Sequence, residues 1–278
     1  MTVQVQGHHD PATGSWTYLV RDGTEAAVVD PLLGFDPGAS RVDPAPLDWI
    51  IETISQSRLV LRWILETHIH ADHVSGAARL QAACGGRIVV GAALATAAAP
   101  LCARYQAPSA ETVFDHLVID GEYLPFGEGW IEAISTPGHT PACTSYRIGD
   151  DVFIGDTLFA PDLGSARCDF PGGNPEELWT SIQRLLALDE HVRLRLCHDY
   201  RAEGILPVST VTVGEMRGNI HVRGLDRNSF AELRRRRDST LETPRLMAAA
   251  LAFNLRGGRL PEPDADGIRR LRVPLEID

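Results

Sequence analysis

Side chains that commonly bind metal ions cluster in the stretch THIHADHVSG. It contains the motif HxHxDH, formed by His68, His70, Asp72 and His73. The motif directly follows the apolar run 59–65, which predicts a buried strand. Because side chains two residues apart in an extended segment point the same way, His68 and His70 can approach one ion together. Imidazole and carboxylate suit zinc, iron and manganese, so the motif predicts a metal site.

Three further candidate ligands follow predicted strands elsewhere in the chain. His139 stands in STPGHTP, Asp156 in FIGDTLF and His198 in LCHDY. A single histidine or aspartate in such a place usually serves a local turn. Here four separate strand ends each supply a ligand, and in α/β sheets functional groups gather at one sheet edge. We therefore expect these side chains to meet at one site.

The elements that must position these ligands are short strands alternating with helices. Residues 16–22 and 25–31 predict a hairpin that turns at Asp22-Gly23. Apolar residues at helical spacing predict a helix over 47–57. Asn174-Pro175 has the N-cap and first-position proline that begin a helix. Strands followed by helices, twice over, indicate a layered α/β sandwich.

The last quarter of the chain carries weaker patterns. Residues 230–240 and 245–255 predict helices, and the run SFAELRRRRDST is interpreted as a solvated helix face. No linker composition separates this part from the rest. We predict a single domain over residues 1–278, with residues 205–278 as a C-terminal extension packed on it.

Composition excludes several classes of function. A net charge of -11 argues against nucleic-acid binding, which needs a basic face. The five cysteines are odd in number, scattered and without a CxxC pair, so a reducing cytosol is expected in place of a disulfide framework. Neither a signal segment nor an apolar run long enough to span a bilayer is present. The sequence thus predicts a cytoplasmic protein that binds neither nucleic acid nor membrane.

With the candidate ligands in this chain order, the sequence resembles the metallo-β-lactamase superfamily. That resemblance implies a four-layer αββα sandwich with the metal site at the edge of its two sheets. The flanks THIHADHVSGA, STPGHTPACTSY, GDTLFAPDLGSARCDFPGG and CHDYRAEG are similar to the persulfide dioxygenase family. They most closely resemble its bacterial branch of β-lactamase-like hydrolases, in which a tail of the PRLM…N…LPEP kind also recurs.

The resemblance to persulfide dioxygenases implies one Fe(II) per chain. Its ligands would be His68, His139 and Asp156, a set that leaves positions open for O₂ and substrate. The implied reaction oxidises glutathione persulfide with O₂ and water to glutathione and sulfite. The remaining motif residues would orient ligands, hold water and move protons: His70, Asp72, His73 and His198.

Glutathione carries two carboxylates and should meet guanidinium groups. Arg167 and Arg201 lie beside the implied site in sequence and are candidate substrate contacts, and Tyr200 could donate a hydrogen bond. An ion pair between Arg167 and Asp169 is an alternative of nearly equal weight.

Two other functions stay open from the sequence. A glyoxalase II-type thioester hydrolase would use two zinc ions. One would be bound by His68, His70 and His139 and the other by Asp72, His73 and His198, with Asp156 between them. A non-catalytic sulfide or redox sensor would act through Cys168. The extension leaves three roles open: covering the site, forming a homodimer contact, or selecting the persulfide.

Overall fold

Two central sheets, each six-stranded within the described residues 3–201 and 204–275, form the middle of the molecule in this computed structural model. The strands in chain order are β1 (Gln4–Asp10), β2 (Ser15–Asp22), β3 (Glu25–Val29), β4 (Leu32–Asp36), β5 (Arg41–Asp43), β6 (Val60–Leu65), β7 (Val74–Ser75), β8 (Arg87–Gly91), β9 (His116–Val118), β10 (Tyr123–Phe126), β11 (Gly129–Ser135), β12 (Thr144–Ile148), β13 (Asp151–Phe153), β14 (Arg193–Arg195) and β15 (Thr210–Thr212). The first sheet has the order β1-β2-β3-β6-β8-β9, and the second runs from β10 to β15 in sequence order. A smaller sheet has the order β5-β4-β7.

Helices cover the outer faces of both sheets. In chain order they are α1 (Asp48–Gln56), α2 (Ala77–Cys84), α3 (Leu94–Ala97), α4 (Ala99–Tyr105), α5 (Ala110–Val113), α6 (Pro175–Leu186), α7 (Val213–Met216), α8 (Arg227–Asp238) and α9 (Met247–Asn254). A 3₁₀ turn at Ala45–Leu47 leads into α1. None of the helices in the described part of the chain is both long and apolar enough to cross a membrane.

Alternating side chains divide each sheet between two cores. In β2, Tyr18 and Val20 face the second sheet, whereas Leu19 joins the core under the helices. In the second sheet, Phe153 joins the core between the sheets, while the neighbouring Val152 packs under α6 and α8. This period of two is expected for strands buried on both faces. The layers are therefore helix, sheet, sheet and helix, which confirms the αββα sandwich.

The C-terminal part contributes to two of the three cores. Val211 and Phe230 pack with the apolar face of α6, next to the second sheet. Leu251 and Phe253 of α9 pack into the core against the first sheet. The arrangement of residues 204–275 is thus consistent with an extension that lies on both outer layers, while the predicted division of the chain stays a prediction.

The strand directions bring the candidate ligands to one edge. Strands β11 and β12 are antiparallel, β12 and β13 are antiparallel, and β13 and β14 are parallel. Consequently β11, β13 and β14 run the same way, and their carboxyl ends meet at one edge of the second sheet. His139, Asp156 and His198 follow these three strands. The segment after β6 supplies the HxHxDH motif from the first sheet.

Gly138 allows the loop that carries His139 to pack closely against α6. Its φ is +138°, and a Cβ there would lie 2.3 Å from the Cα of Leu178 in α6. Any side chain would push α6 away from the loop that carries His139. Gly138 is therefore needed both for its positive φ and for the close backbone contact with α6.

The interpretation of SFAELRRRRDST as a solvated face is wrong for part of the run. Arg234 is buried, and it donates to the backbone oxygen of Ser165 at 3.1 Å and pairs with Asp238. Arg235 pairs with Glu176 at the start of α6. The prediction was wrong because residue type alone does not distinguish an arginine that is buried with hydrogen-bond partners from an arginine that is exposed to solvent.

Candidate metal centre

His68, His139 and Asp156 converge into a buried triad. One ligand atom from each residue lies within 4.8 Å of those of the other two. The three residues come from two sheets and lie 17 to 88 positions apart in sequence. The structure therefore brings together the three side chains that the resemblance to persulfide dioxygenases implied as iron ligands.

Hydrogen bonds fix the tautomers of the two triad histidines. His139 Nδ1 lies 2.7 Å from the backbone oxygen of Arg167, which can only accept, so this nitrogen carries the proton. Thr67 donates its hydroxyl proton to Asp30 at 2.9 Å, and it must therefore accept from His68 Nδ1 at 3.0 Å. In both rings Nε2 is left with a free lone pair, as a metal ligand requires.

A second cluster adjoins the triad. The ligand atoms of His70, Asp72, His73 and His198 also lie within 4.8 Å of one another. His198 Nε2 is 3.3 Å from an oxygen of Asp72 and 3.3 Å from an oxygen of Asp156, which links the two clusters. The Ser15 hydroxyl lies 3.2 Å from His73 Nδ1 and 3.3 Å from His198 Nδ1. Ser15 therefore orients both rings from the side away from the centre.

Two buried carboxylates hold His70. Its Nε2 is 3.1 Å from Asp30 Oδ1 and 3.5 Å from Glu66 Oε2. Burial opposes a charge on this ring, but the two carboxylates raise the pKa of His70 well above its ordinary value. His68 has no such partner, and burial together with the neighbouring His70 and His139 lowers its pKa well below the ordinary value. Asp30 and Glu66 thus belong to the site.

Unpaired nitrogen and oxygen atoms test whether these residues fit a metal. Buried ring nitrogens and one carboxylate oxygen lack a hydrogen-bond partner in the described part of the chain: His68 Nε2, His70 Nδ1, His73 Nε2, His198 Nε2 and Asp156 Oδ1. Each such atom destabilises the folded protein by about 1–3 kcal/mol when left unpaired. Five of them in one place indicate that a binding partner satisfies them. A cation held by the triad would satisfy His68 Nε2 and Asp156 Oδ1, and water or a second cation would satisfy the three ring nitrogens of the second cluster. Imidazole and carboxylate suit iron, zinc or manganese. The residues therefore fit a metal centre.

A cavity of about 600 Å³ adjoins this centre. His73, His139 and Asp156 lie in its wall beside the apolar Phe35 and Phe159. The other side of the wall comes from the C-terminal extension and includes Arg234, Arg237, Leu241, Pro244, Arg245 and Leu246. This volume suits a small-molecule substrate.

The three predicted substrate contacts have different positions. Tyr200 lines the cavity and stacks on the His198 ring with centroids 5.1 Å apart. Arg167 also lines it, but two nitrogens of its guanidinium each lie 2.6 Å from Asp169. The ion pair weighed as an alternative for Arg167 is therefore present.

Arg201 is not among the described residues that line the cavity. Its guanidinium pairs with Asp199 and, at 2.6 Å, with Asp162. A role of Arg201 in substrate binding stays a prediction, as do the roles assigned to the other site residues. Ala202 and Glu203 of CHDYRAEG lie outside the described residues.

Sequence reasoning missed four residues around the centre. Asp30 ends a strand in the same way as the predicted ligands, so the same rule could have found it. Glu66 stands four positions before His70 and could have been paired with it. Ser15 and Asn254 had no local signal, because their contacts with the motif span 58 and more than 170 residues of sequence.

The metallo-beta-lactamase superfamily model matches residues 10–198. The chain belongs to the metallo-β-lactamase superfamily. Within it, a β-lactamase hydrolase-like protein of Xylella fastidiosa is 41% identical over 99% of this chain, which spans 65% of that relative. A mitochondrial persulfide dioxygenase ETHE1 of Bos taurus is 30% identical over 73% of this chain and 69% of its own.

Two further superfamily members bear on the fold and the reaction. The crystal structure of ETHE1 from Myxococcus xanthus superposes with a TM-score of 0.74 at 25% identity, covering 92% of this chain and all of that one. A protein of Dictyostelium discoideum named glyoxylase B2 is 36% identical over 98% of this chain and 96% of its own. The resemblances stated from the sequence motifs are thus confirmed, and the names of these superfamily members divide between oxygenation and hydrolysis.

Proposed function

We propose that the protein is an iron-dependent persulfide dioxygenase that oxidises glutathione persulfide to glutathione and sulfite. The observation that carries this proposal is the triad of His68, His139 and Asp156, of which His139 and Asp156 line the cavity. Two histidines and one carboxylate are the ligand set of iron sites that keep positions open for O₂ and substrate. The similarity to proteins named ETHE1 supports the same reaction.

The reaction balances with O₂ and one water. The persulfide GSSH, O₂ and H₂O give GSH, SO₃²⁻ and two protons, with the terminal sulfur oxidised and both atoms of O₂ reduced. When bound, Fe(II) supplies the activation of O₂, which side chains alone cannot provide. The protein must orient the persulfide, exclude competing water and remove the protons.

The second cluster is suited to handle those protons. His198 Nε2 lies within 3.3 Å of a carboxylate oxygen of Asp72 and of Asp156, so a proton can pass between this ring and either carboxylate. His73 and His198 share the Ser15 hydroxyl, which can pass its hydrogen bond from one ring to the other. We assign proton transfer and water positioning to Asp72, His73 and His198, and we assign to His70, held by Asp30, the orientation of the motif.

The deciding experiment measures sulfite formation and O₂ uptake together, with iron-loaded enzyme and glutathione persulfide. We expect one sulfite per O₂ and an iron content near one per chain after anaerobic purification. Sulfite without O₂ uptake, or O₂ uptake without sulfite, would contradict the proposal.

A dinuclear thioester hydrolase is the second candidate, and the complete second cluster favours it. His70, Asp72, His73 and His198 could hold another ion, with Asp156 near both. The relative named glyoxylase B2 is consistent with this function. Two zinc ions per chain and turnover of a glutathione thioester, without O₂ uptake on persulfide, would establish the hydrolase.

The sensor alternative rests on Cys168 and has less support. The thiol is buried in the core beneath α6 and α8, and burial raises its pKa well above the ordinary value. A thiol of this kind forms little reactive thiolate near neutral pH. Modification of Cys168 by persulfide, with no turnover by the iron-loaded protein, would favour the sensor.

A further inference from the structure

Two arginines of the C-terminal extension line the cavity without a partner. Arg237 stands in the last turn of α8, and Arg245 lies in the segment before α9. Both side chains are exposed, and within residues 3–201 and 204–275 neither guanidinium forms an ion pair or a hydrogen bond. They contrast with Arg234 of the same helix, which pairs with Asp238 inside the protein.

The protein holds the backbone of both arginines in place. Asp238, next to Arg237, accepts from the backbone N–H of Cys168 at 2.9 Å, which fixes the end of α8 beside the cavity. Arg167 donates to the backbone oxygen of Glu242 at 2.8 Å, which ties down the segment that leads to Arg245. The guanidinium of Arg167 is thus used to build the cavity wall.

The charge of this wall is opposite to that of the whole molecule. The chain has a net charge of -11, yet four arginines line the cavity against three aspartates. Among the described residues, Arg237 and Arg245 are the two of these arginines that are not already paired with a carboxylate. Two of those aspartates, Asp72 and Asp156, face the metal centre, where a cation offsets their charge. The outer part of the cavity is therefore locally basic, and a cleft of one sign raises the local concentration of ligands of the other sign.

We propose that Arg237 and Arg245 bind carboxylates of the substrate and make the enzyme selective for acidic persulfides. This inference rests on the proposed function, in which the substrate is the persulfide of a tripeptide with two carboxylates. A free guanidinium can form two parallel hydrogen bonds with one carboxylate, so two arginines match the two carboxylates. The C-terminal extension thereby determines which persulfide is accepted.

The test compares Arg237→Gln, Arg245→Gln and the double variant with Arg236→Gln. Arg236 is a matched control because it is also exposed and adjacent in sequence but does not line the cavity. We expect the KM for glutathione persulfide to rise about fivefold in each single variant and by about the product in the double variant, with kcat nearly unchanged. Arg236→Gln should leave both constants unchanged.

The diethyl ester of glutathione persulfide separates carboxylate binding from other effects. Its KM should be the same for wild type and the double variant. The inference would be overturned if Arg236→Gln changed the KM as much as Arg237→Gln does. It would also be overturned if the double variant raised the KM for the ester as much as the KM for the unesterified persulfide. Arg237→Lys keeps the charge and should recover part of the affinity, which excludes a folding defect as the cause.

Binding of glutathione itself tests the inference separately from the reaction. Calorimetry with wild-type protein should give a dissociation constant that rises about tenfold or more in the double variant and not in Arg236→Gln. If no persulfide is oxidised but this difference is found, the proposed reaction fails and the anion site stands. If persulfide is oxidised but binding of glutathione is unchanged, the reaction stands and the anion site fails.

Discussion

At the residue scale, each histidine of the centre has one nitrogen facing the metal position and the other held by the protein. The backbone of Arg167 holds His139, Thr67 holds His68, and the Asp30 carboxylate holds His70. Such outer hydrogen bonds keep the ring orientation before the metal binds, which reduces the entropy lost on binding. The triad and its supports therefore make separate, testable contributions.

Replacing a triad ligand should remove iron and activity together. In Asp156→Ala we expect the iron content to fall from near one per chain to a small fraction, with sulfite formation lost, because a carboxylate ligand cannot be replaced by the neighbouring rings. Metal analysis and O₂ uptake give the two readouts. His191→Ala is the control, since this exposed histidine lies away from the cavity. Retained O₂ uptake in the Asp156 variant would contradict the triad.

A buried histidine in the extension makes stability depend on pH. His221 Nδ1 accepts from the backbone N–H of Ser165 at 3.0 Å, so the ring is held neutral. Burial, then Arg234 and Arg237, lower the pKa of His221 to about 4 from an ordinary value of 6.5. Between these values the unfolded chain binds more protons than the folded one, so the stability this group contributes falls as pH falls from 6.5 to 4.

His221→Gln should reduce that acid sensitivity. One such group changes the free energy of unfolding by at most about 1.4 kcal/mol per pH unit. Urea denaturation at pH 7.5 and pH 5 should therefore show a smaller loss in the variant than in wild type. His191→Gln provides the comparison at an exposed site and should keep the wild-type loss. An equal loss in the His221 variant would show that this ring does not titrate in that range.

At the element scale, α9 holds the metal motif from behind. The side-chain amide of Asn254, the last residue of α9, donates to the backbone oxygens of His70 and His73, at 2.8 Å each. Its oxygen accepts from the backbone N–H of Ser75 at 2.7 Å. Through these three hydrogen bonds, the buried side chain of Asn254 fixes the turn that carries His70, Asp72 and His73.

Asn254→Ala should weaken both folding and metal binding. Three buried backbone groups would lose their partner, so we expect a loss of roughly 2–4 kcal/mol in the free energy of unfolding and a lower iron content in the folded protein. Asn254→Asp keeps the acceptor but removes the donor, and it should retain less iron than wild type even where it folds. Ala248→Ser, at an exposed position of α9, should leave stability and iron content unchanged. Full iron occupancy in both Asn254 variants would contradict this role.

At the scale of the whole molecule, the extension completes two cores and one wall of the cavity. It supplies large apolar side chains that are buried beneath both outer layers: Val211, Val213, Met216, Val222, Phe230, Leu251, Phe253 and Leu255. Each contributes about 1.5–3 kcal/mol when buried, whereas a whole domain is stable by about 5–15 kcal/mol. The sum of these contributions is therefore larger than the whole free energy of unfolding of a typical domain.

A chain that ends after residue 204 should therefore fail to fold. We expect it to be insoluble, or to lack a cooperative thermal transition by circular dichroism. A chain that ends after residue 260 is the matched control, because residues 261–275 are mostly exposed, and it should keep a transition close to that of wild type. Cooperative unfolding of the shorter chain would show that the extension is a separate unit.

The sequence by itself predicted the candidate ligands, and their resemblance to a superfamily implied the fold. The candidate ligands could be found because they follow predicted strands, and strand ends are local features readable from apolar runs and turns. The resemblance to persulfide dioxygenases then implied three of them as iron ligands: His68, His139 and Asp156. Periodicity is less reliable over residues 74–84, whose local pattern predicts one helix, because α2 begins only at Ala77. Val74–Ser75 instead pairs with Leu32 and Leu33 as β7, because contacts with a distant strand override local helical spacing.

Only the tertiary structure decided which side chains support and surround the centre. Ser15, Asp30 and Asn254 reach it across long stretches of chain, and no local pattern specifies such contacts. The arginines of the extension could not be told apart in sequence, since Arg234 and Arg237 differ only in what lies beside them. Arg234 is buried and paired with Asp238, so its role is structural. Arg237 is exposed at the cavity, so its guanidinium is free to bind an anion. Residue type sets what a side chain can do, and the packing around it sets which of those interactions it makes.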